Sequence, residues 1–287
     1  KLNGNKYEYY HDFENYLLIG TDATGNNKNG ADYQGSMADF LMLVIVDKTE
    51  NTYSFLQFNR DTMTEVALID HNGEGEATAN IQLCTAHWYG GNREQSCENT
   101  VKSVKKLLGG IQIDGYYELN MSEIPKLNSM VDGVTVTLED DFSKKYPKMK
   151  KGATINLDDE QAYAYVHDRY GVGDEENTSR MKRQQQYMTG FFKKLQEKVK
   201  ANPNYANEVF ESLQDVSTTD ITIGKISNIS NIFASGTDKG IFELAGKSKI
   251  GQALGDEMDH MEFYVNKKAM VSTMSELFGI VEQKNKE

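Results

Sequence analysis

The sequence predicts an α/β fold, a single domain in which a mixed central β-sheet is flanked by helices on both faces. Short apolar runs typical of buried strands alternate along the chain with longer stretches of helical periodicity. No break in composition separates the strand-forming segments from the helix-forming ones, and this favours one layered domain. We interpret residues 1–14 as a lead-in and residues 15–287 as the domain, with a core at 15–200 and a C-terminal extension at 201–287.

The first three strands bring polar residues to their ends. We predict these strands at residues 16–20, 40–46 and 52–58, the last two joined by the turn DKTENT. Asp22 and Arg60 follow their strands, whereas Asp39 precedes its own. If the middle strand runs antiparallel to the other two, the three polar side chains meet at one edge of the sheet.

The rest of the chain predicts helices and strands in alternation. Helices are expected at residues 96–108, 121–130, 157–167, 179–200, 224–234 and 267–278, and strands at 111–119, 134–138, 221–223 and 261–265. Thr178 or Ser179 is the natural N-cap of the longest of these helices.

The charge of the chain excludes one class of protein. There are 31 Lys and Arg residues against 43 Asp and Glu residues, which gives a net charge of −12. This balance argues against a nucleic-acid-binding protein with a broad basic face, although it permits a local anion site. Arginine is scarce, and its positions are Arg60, Arg93, Arg169, Arg180 and Arg183. Because arginine offers a planar fork to phosphate oxygens, its clustering at 169–183 marks a candidate site.

The longest predicted helix starts with a cationic face. Arg180, Arg183, Gln184 and Tyr187 are spaced i, i+3, i+4 and i+7, so they share one side of the helix. Two arginines and an amide beside the free N–H groups of a helix N-terminus suit an anion. Arg169 comes from the end of the preceding helix, one short loop away. The alternative is an ordinary charged face in contact with solvent.

Asp22 and Asp39 are candidate ligands of a hard cation. Two carboxylates at one sheet edge suit Mg²⁺, which takes one or two carboxylates and fills its octahedron with substrate phosphates and water. The alternative is that both aspartates only cap loops, as aspartate often does. The neighbouring Arg60 and Asp61 form either a local ion pair that orients Arg60 or simply a turn.

The two cysteines, Cys84 and Cys97, leave two interpretations open. Either both are buried free thiols or, in an extracellular protein, they form a disulfide that closes a polar surface loop. The pair offers too few ligands for a zinc site, and no histidine stands at ligand spacing beside it.

Several segments, taken in order, resemble the LytR–CpsA–Psr family, whose members are also named cell-envelope-related transcriptional attenuators. The segments are NYLLIGTD, SMADFLMLVIVDKTENTYSFLQFNRDT, IQIDGYYELN, VDGVTVTL and LDDEQAYAYVHDRYGVGDEENTSRMKRQQQYM. Their number and order make the resemblance specific over residues 15–200.

The resemblance implies an activity and a location. Members of the family are membrane-anchored enzymes of Gram-positive envelopes that transfer glycopolymers from a polyprenyl pyrophosphate carrier to peptidoglycan. For this chain it implies a polyprenyl (pyro)phosphate-linked glycopolymer and a peptidoglycan acceptor as partners, no nucleic acid, and a place at the extracellular face of the membrane. Because no run approaches about 18 consecutive apolar residues, we expect the anchor to be an N-terminal transmembrane helix removed from this chain.

The resemblance also implies roles for individual residues. Asp22 and Asp39 match the metal-site aspartates, which hold Mg²⁺ near the pyrophosphate. Phosphate binding falls to Arg60, His167, Arg169, Arg180, Arg183 and Gln184. The expected catalytic residues among these are Arg60, Asp39 and Arg169.

Three positions depart from the arginines that are usual in the family, namely Thr24, Met37 and His167. His167 still offers hydrogen bonds to a phosphate, more strongly when it is protonated, and the alternative is that it has no role. The departures favour a rival interpretation, a non-catalytic protein that binds polyprenyl phosphate in envelope assembly or regulation. The retained aspartates and arginines favour the enzyme. A DNA-binding regulator follows only from the family's older name, and the acidic charge speaks against it.

Overall fold

The computed structural model describes residues 2, 4–9, 11–22 and 33–282. The strands are β1 Tyr7–Glu8, β2 Phe13–Thr21, β3 Ala38–Asp47, β4 Thr52–Gln57, β5 Met63–Ala67, β6 Thr78–Gln82, β7 Gly115–Asn120, β8 Thr135–Thr137, β9 Thr154–Asn156, β10 Ser217–Thr219, β11 Thr237–Glu243, β12 Gly246–Gly251, β13 His260–Val265 and β14 Val281–Glu282. The α-helices are α1 Arg93–Leu107, α2 Ile124–Met130, α3 Asp159–His167, α4 Asn177–Ala201, α5 Tyr205–Ser212, α6 Ile223–Ser235 and α7 Lys267–Phe278. Short 3₁₀ helices are formed by Leu83–Trp88 and Met121–Glu123.

The central sheet has the strand order β10-β7-β2-β3-β4-β11. Strand β3 pairs antiparallel with both β2 and β4, whereas β11 runs parallel to β4, so the sheet is mixed. The central residues of β2 and β3, 16–19 and 40–46, are continuous apolar runs, which are typical of strands buried on both faces. The predicted α/β fold, with a mixed central sheet flanked by helices, is confirmed.

The chain divides into two compact units. Residues 1–119, 217–221 and 236–287 form the first, and residues 120–216 and 222–235 form the second. In the first unit, Leu43 is the register partner of both Leu17 and Leu56, so these three side chains lie on one face of the sheet. Val104 of α1 and Met274 of α7 belong to the same buried cluster. Two helices therefore cover this face of the sheet.

The second unit has its own core around α3 and α4. Val136 of β8, Tyr165 of α3 and Phe191 of α4 belong to one buried cluster. A capping box begins α3, in which the Asp158 side chain accepts a 2.9 Å hydrogen bond from the Gln161 N–H while the Gln161 side chain accepts from the Asp158 N–H. This cap fixes the start of the helix that ends at His167.

The long helix α4 begins earlier than predicted. Its first residue is Asn177 and its N-cap is Glu176, so the prediction of Thr178 or Ser179 as N-cap is wrong. Ser179 lies inside the first turn and donates a 2.8 Å hydrogen bond to Asp174 instead. The Ser179 side chain therefore hydrogen-bonds to the preceding loop and does not cap the helix.

The segment before α1 is not the polar surface loop that we predicted. Leu83–Trp88 forms a 3₁₀ helix in which all but the last residue are buried. Helix α1 then begins before residue 96, because the Asn92 side chain caps it and accepts a 2.9 Å hydrogen bond from the Gln95 N–H.

The elements predicted towards the two ends of the chain are confirmed only in part. Helix α7 coincides with the predicted helix, but the strand predicted at 221–223 lies at β10 instead, and α6 begins where that strand was expected. Strand β1, within the predicted lead-in, pairs antiparallel with β14. The domain boundaries at residues 14 and 200 stay predictions. Within the described residues, no helix combines the length and the apolar character needed to cross a membrane.

Candidate functional site

Asp22 and Asp39 lie at the same end of the central sheet. Asp22 directly follows β2, and Asp39 is the second residue of β3. Thr21 and Ala38 are register partners, and the register shifts by one residue next to them, as it does at a β-bulge. The antiparallel pairing therefore places both aspartates at this end of the sheet, as the order of the strands predicted.

Arg60 joins this sheet end from the segment after β4. The Phe58 N–H donates to the Leu41 carbonyl at 2.9 Å and continues the β3–β4 ladder towards it. Nη1 of Arg60 then donates to Oδ1 of Asp39, and its Nε lies 3.6 Å from Oδ1 of Asp61. The predicted local pair with Asp61 is present, but Asp39 is the closer partner. Two carboxylates thus fix the direction of one guanidinium.

The surroundings of Arg60 keep it charged. Its Nη2 contacts the Met37 sulfur at 2.9 Å and the Cys84 sulfur at 3.3 Å. Burial by itself lowers the pKa of the guanidinium, but Cys84 and the carboxylates of Asp39 and Asp61 outweigh it and raise the pKa. Arg60 is therefore a fixed cation at the sheet end.

The segment that leads into β3 is tied to the 3₁₀ helix Leu83–Trp88. The Tyr33 hydroxyl donates to the Ser96 hydroxyl at 2.7 Å, and Nδ1 of His87 donates to the Ser36 carbonyl at 3.0 Å. A Cβ on Gly35 would lie 2.2 Å from the Trp88 carbonyl oxygen, so only glycine allows this approach. These contacts place Met37 against Arg60. Sequence reasoning missed them, because no motif marks a buried histidine or a backbone contact.

The two cysteines have different neighbours and form no disulfide. Cys84 contacts Arg60, while Cys97 lies 3.6 Å from Nε2 of His87. Both thiols are free and buried. The disulfide prediction is wrong, and the interpretation of two buried free thiols is confirmed. Instead of a polar surface loop closed by a disulfide, the segment between them contains most of the 3₁₀ helix Leu83–Trp88 and the first turn of α1.

The carboxylates at the sheet end fit Mg²⁺ by their number and type. Among the described residues, no group of three or more His, Cys, Asp or Glu side chains is arranged to hold a metal ion. Magnesium needs fewer, since one or two carboxylates suffice when substrate phosphates and water complete its shell. Asp22 and Asp39 provide such a pair. The assignment of both to Mg²⁺ stays a prediction.

The cationic face of α4 is buried. Arg180, Arg183, Gln184 and Tyr187 share one side of the helix as predicted, and each of the four side chains is buried. The interpretation of this face as a solvent-exposed charged surface is therefore wrong. Nη2 of Arg180 donates to the Asn177 side chain at 2.9 Å in the first turn of the same helix.

Arg183 joins α4 to the end of α3. Its side chain is 1% exposed, and it donates to the backbone carbonyls of Tyr165 at 3.1 Å and Asp168 at 2.7 Å. Its Nε lies 3.3 Å from Asp140. Burial lowers the pKa of Arg183, with Asp140 opposing that effect.

Gln184 acts beside Arg183 and donates to the Val166 carbonyl at 3.1 Å. The last carbonyls of a helix have no partner within it, and these two side chains supply partners at the end of α3. The donors that the sequence prediction assigned to phosphate are thus engaged with backbone in this structure. Arg183 and Gln184 hold the segment that carries His167 and Arg169.

His167 and Arg169 are partly exposed at the end of α3. The His167 ring stacks on Tyr163 with centroids 4.6 Å apart, and its Nδ1 lies 3.2 Å from Asp168. The Arg169 guanidinium lies over the Tyr170 ring at 4.6 Å from its centroid. Tyr170 itself is 75% exposed. These two side chains are the candidates for a direct ligand contact in this part of the chain.

The predicted site residues fall into two groups. The first unit contains Asp22, Asp39 and Arg60, and the second contains His167, Arg169, Arg180, Arg183 and Gln184. Of the positions that depart from the family's usual arginines, Thr24 lies outside the described residues.

The fold is similar to that of solved structures. Bacillus subtilis TagV is 19% identical with a TM-score of 0.69, over 94% of this chain and 98% of that one. Protein gbs0355 from Streptococcus agalactiae is 20% identical with a TM-score of 0.72, over 95% of this chain and 90% of that one. A structure of TagT bound to LI-WTA is 20% identical with a TM-score of 0.67, over 93% of this chain and 91% of that one.

Sequence comparison gives the family. Among curated proteins, no sequence matches this chain. The model of the LytR_cpsA_psr family matches residues 2–278, which is nearly the whole chain. The chain belongs to the LytR_cpsA_psr family.

Proposed function

We propose that this chain transfers a cell-envelope glycopolymer from a polyprenyl pyrophosphate carrier to peptidoglycan by magnesium-assisted phosphoryl transfer. The observation that carries the proposal is the guanidinium of Arg60, which Asp39 orients at the sheet end where Asp22 also lies. Membership of the LytR_cpsA_psr family supports an envelope role, and the binding of LI-WTA by TagT supports a glycopolymer as ligand.

In the proposed reaction, a hydroxyl of the acceptor attacks the phosphorus that carries the glycopolymer. A phosphodiester forms, the P–O–P bond breaks, polyprenyl monophosphate leaves, and the proton of the hydroxyl passes to water. Negative charge grows on the phosphate oxygens and on the leaving group during this step. Fixed cations lower such a barrier by position and electrostatics, with little covalent work for the protein. Arg60 suits this role, because its charge and its direction are both set by its neighbours.

Asp22 and Asp39 would hold Mg²⁺ beside the pyrophosphate. When bound, the ion would neutralise charge on the phosphates and make polyprenyl monophosphate a better leaving group. Asp39 has a second task in this proposal, since its Oδ1 accepts from Arg60. We therefore assign it to orientation and metal binding rather than to taking the proton of the acceptor.

Within the second unit, the candidates for phosphate binding are Arg169 and His167, whereas Arg180 is buried and donates to Asn177. Arg169 and His167 are partly exposed at the end of α3, where a ligand can reach them. Arg183 and Gln184 keep that end in place through the backbone carbonyls. In this proposal the protein acts at the extracellular face of the membrane.

The test uses a polyprenyl pyrophosphate-linked oligosaccharide as donor and a peptidoglycan fragment as acceptor. We expect Mg²⁺-dependent release of polyprenyl phosphate and a new phosphodiester. Arg60→Ala should abolish release, while Lys105→Ala, an exposed basic residue of α1, should retain it. No release by the wild-type chain in the presence of Mg²⁺ would contradict the enzymatic proposal.

A second function has one observation in its favour. Met37 lies against Arg60 at a position where the family often has an arginine, so one cation is replaced by a thioether. A non-catalytic protein that binds polyprenyl phosphate would tolerate this change. Tight binding of the donor that depends on Arg60, with no release of polyprenyl phosphate, would favour this second function over the first.

A further inference from the structure

Arg93 is the one arginine that none of the sequence motifs includes. It is the first residue of α1, where the helix dipole disfavours a cation. Its Nη2 donates to Oε2 of Glu118, a carboxylate whose side chain is 0% exposed. A charge buried this deeply needs a partner, and Arg93 supplies it.

Glu118 reaches the strand that carries Asp22. It lies on β7, the neighbour of β2 in the central sheet. Its second oxygen, Oε1, accepts a 2.7 Å hydrogen bond from the hydroxyl of Thr21, the last residue of β2. Asp22 is the next residue along the chain. The buried carboxylate thus fixes Arg93 on one side and the end of β2 on the other.

Arg93 retains donors that the protein does not use. Its side chain is 23% exposed, so part of it stays open to solvent. Within the described part of the chain, its Nε is buried and has no hydrogen-bond partner. Guanidinium has five N–H donors, and Glu118 takes one through Nη2. Arg60 shows the same arrangement with Asp39, a guanidinium oriented by a carboxylate at the end of a neighbouring strand.

We propose that Arg93, oriented by the buried carboxylate of Glu118, is a further anion-binding residue at this sheet end and contacts a phosphate of the substrate. Glu118 and Thr21 are positioning residues in this arrangement. The inference rests on the proposed function, because a pyrophosphate is the anion to be bound. It adds a cation from α1 to a site whose other residues, Asp22, Asp39 and Arg60, all lie at the ends of strands.

The experiment measures the binding of a short-chain prenyl pyrophosphate by calorimetry, once with Mg²⁺ and once with EDTA. The variants are Arg93→Lys and the double variant Arg93→Gln with Glu118→Gln, which replaces the buried ion pair by a neutral one. Lys105→Ala on α1 is the matched control. Thermal unfolding of each variant shows whether the fold is intact.

We expect the double variant to bind about 10-fold more weakly than the wild type, both with Mg²⁺ and with EDTA. Lysine retains the charge but cannot hold Glu118 and a phosphate at once, so Arg93→Lys should bind about 3-fold more weakly. If the double variant fails to fold, the affinity of Arg93→Lys for the prenyl pyrophosphate tests the proposal by itself. Lys105→Ala should bind as the wild type does.

Wild-type affinity in a folded double variant, or in Arg93→Lys, would overturn the role of Arg93 and leave the proposed function standing. A loss seen only with Mg²⁺ would also overturn the phosphate contact, because it would mean that Arg93 acts through Asp22. Wild-type protein that binds no prenyl pyrophosphate would contradict the proposed function, and this inference with it.

Discussion

Arg183 donates a 2.7 Å hydrogen bond to the backbone carbonyl of Asp168, 15 residues earlier in the chain. The same guanidinium donates to the Tyr165 carbonyl and lies over the Phe142 ring. An arginine that the sequence assigned to phosphate binding therefore links α4 to the end of α3 by hydrogen bonds. Its removal should affect the fold as well as the site.

We predict that Arg183→Ala lowers the free energy of unfolding by about 3 kcal/mol, because it leaves buried carbonyl groups and Asp140 without their partner. Chemical denaturation measures this change. Lys182→Ala removes an exposed cation from the next position of α4 and should leave stability almost unchanged. Equal stability of Arg183→Ala and wild type would mean that these hydrogen bonds contribute nothing, and would return Arg183 to a purely ligand-binding role.

Asp39 and Asp61 flank the same guanidinium but should differ in importance. Asp39 accepts directly from Arg60, whereas Asp61 lies 3.6 Å from its Nε. We predict that Asp39→Asn slows transfer on the order of 100-fold, as the loss of a preorganised electrostatic contact does. Asp61→Asn should slow it by about 3-fold or less, consistent with a weaker, longer ion pair. Initial rates of polyprenyl phosphate release measure both, and equal effects of the two variants would contradict the ranking.

The sheet end was predictable from sequence because strand order and antiparallel pairing fix which ends meet. This pairing alone predicts that Asp22, Asp39 and Arg60 lie at one end of the sheet. Helical spacing likewise placed Arg183 and Gln184 on one face of α4. Helical spacing does not show that this face of α4 is buried, because its burial depends on α3, a separate helix.

Contacts between distant segments explain what the sequence did not reveal. Arg93 and Glu118 are 25 residues apart, and Arg93 lies outside every segment that resembles the family. The 3₁₀ helix Leu83–Trp88 looks like a polar loop in the sequence, but its polar side chains are buried and hydrogen-bonded. Thr85 donates to the nearby Gln82 carbonyl, and His87 donates to the distant Ser36 carbonyl. Composition and periodicity carry no information on such partners.

The thiols of Cys84 and Cys97 should be unreactive in the native protein. Both are buried, and burial raises the pKa of Cys84 to about 11 against the opposing effect of Arg60. We predict that Ellman's reagent modifies neither thiol quickly in the native state and both after unfolding without reductant. Cys84→Ser should leave one reactive thiol on unfolding. The absence of any thiol in the unfolded wild-type chain would show that a disulfide forms.

His87 should make the stability of the protein depend on pH. The ring is fully buried, and burial lowers its pKa below the ordinary value of about 6.5. As the pH falls through that value, the unfolded chain binds a proton that the folded chain does not. The free energy of unfolding therefore decreases, by at most about 1.4 kcal/mol per pH unit, until the lower native pKa is reached.

The variant His87→Gln removes this titration while leaving a side chain that can hydrogen-bond to Ser36. We predict that, between pH 7.5 and 5.5, wild-type stability falls more steeply than that of the variant, with each protein referred to its own value at pH 7.5. Denaturant unfolding at each pH measures this difference. Parallel stability curves for the two proteins would contradict the assignment of His87 as a neutral buried histidine.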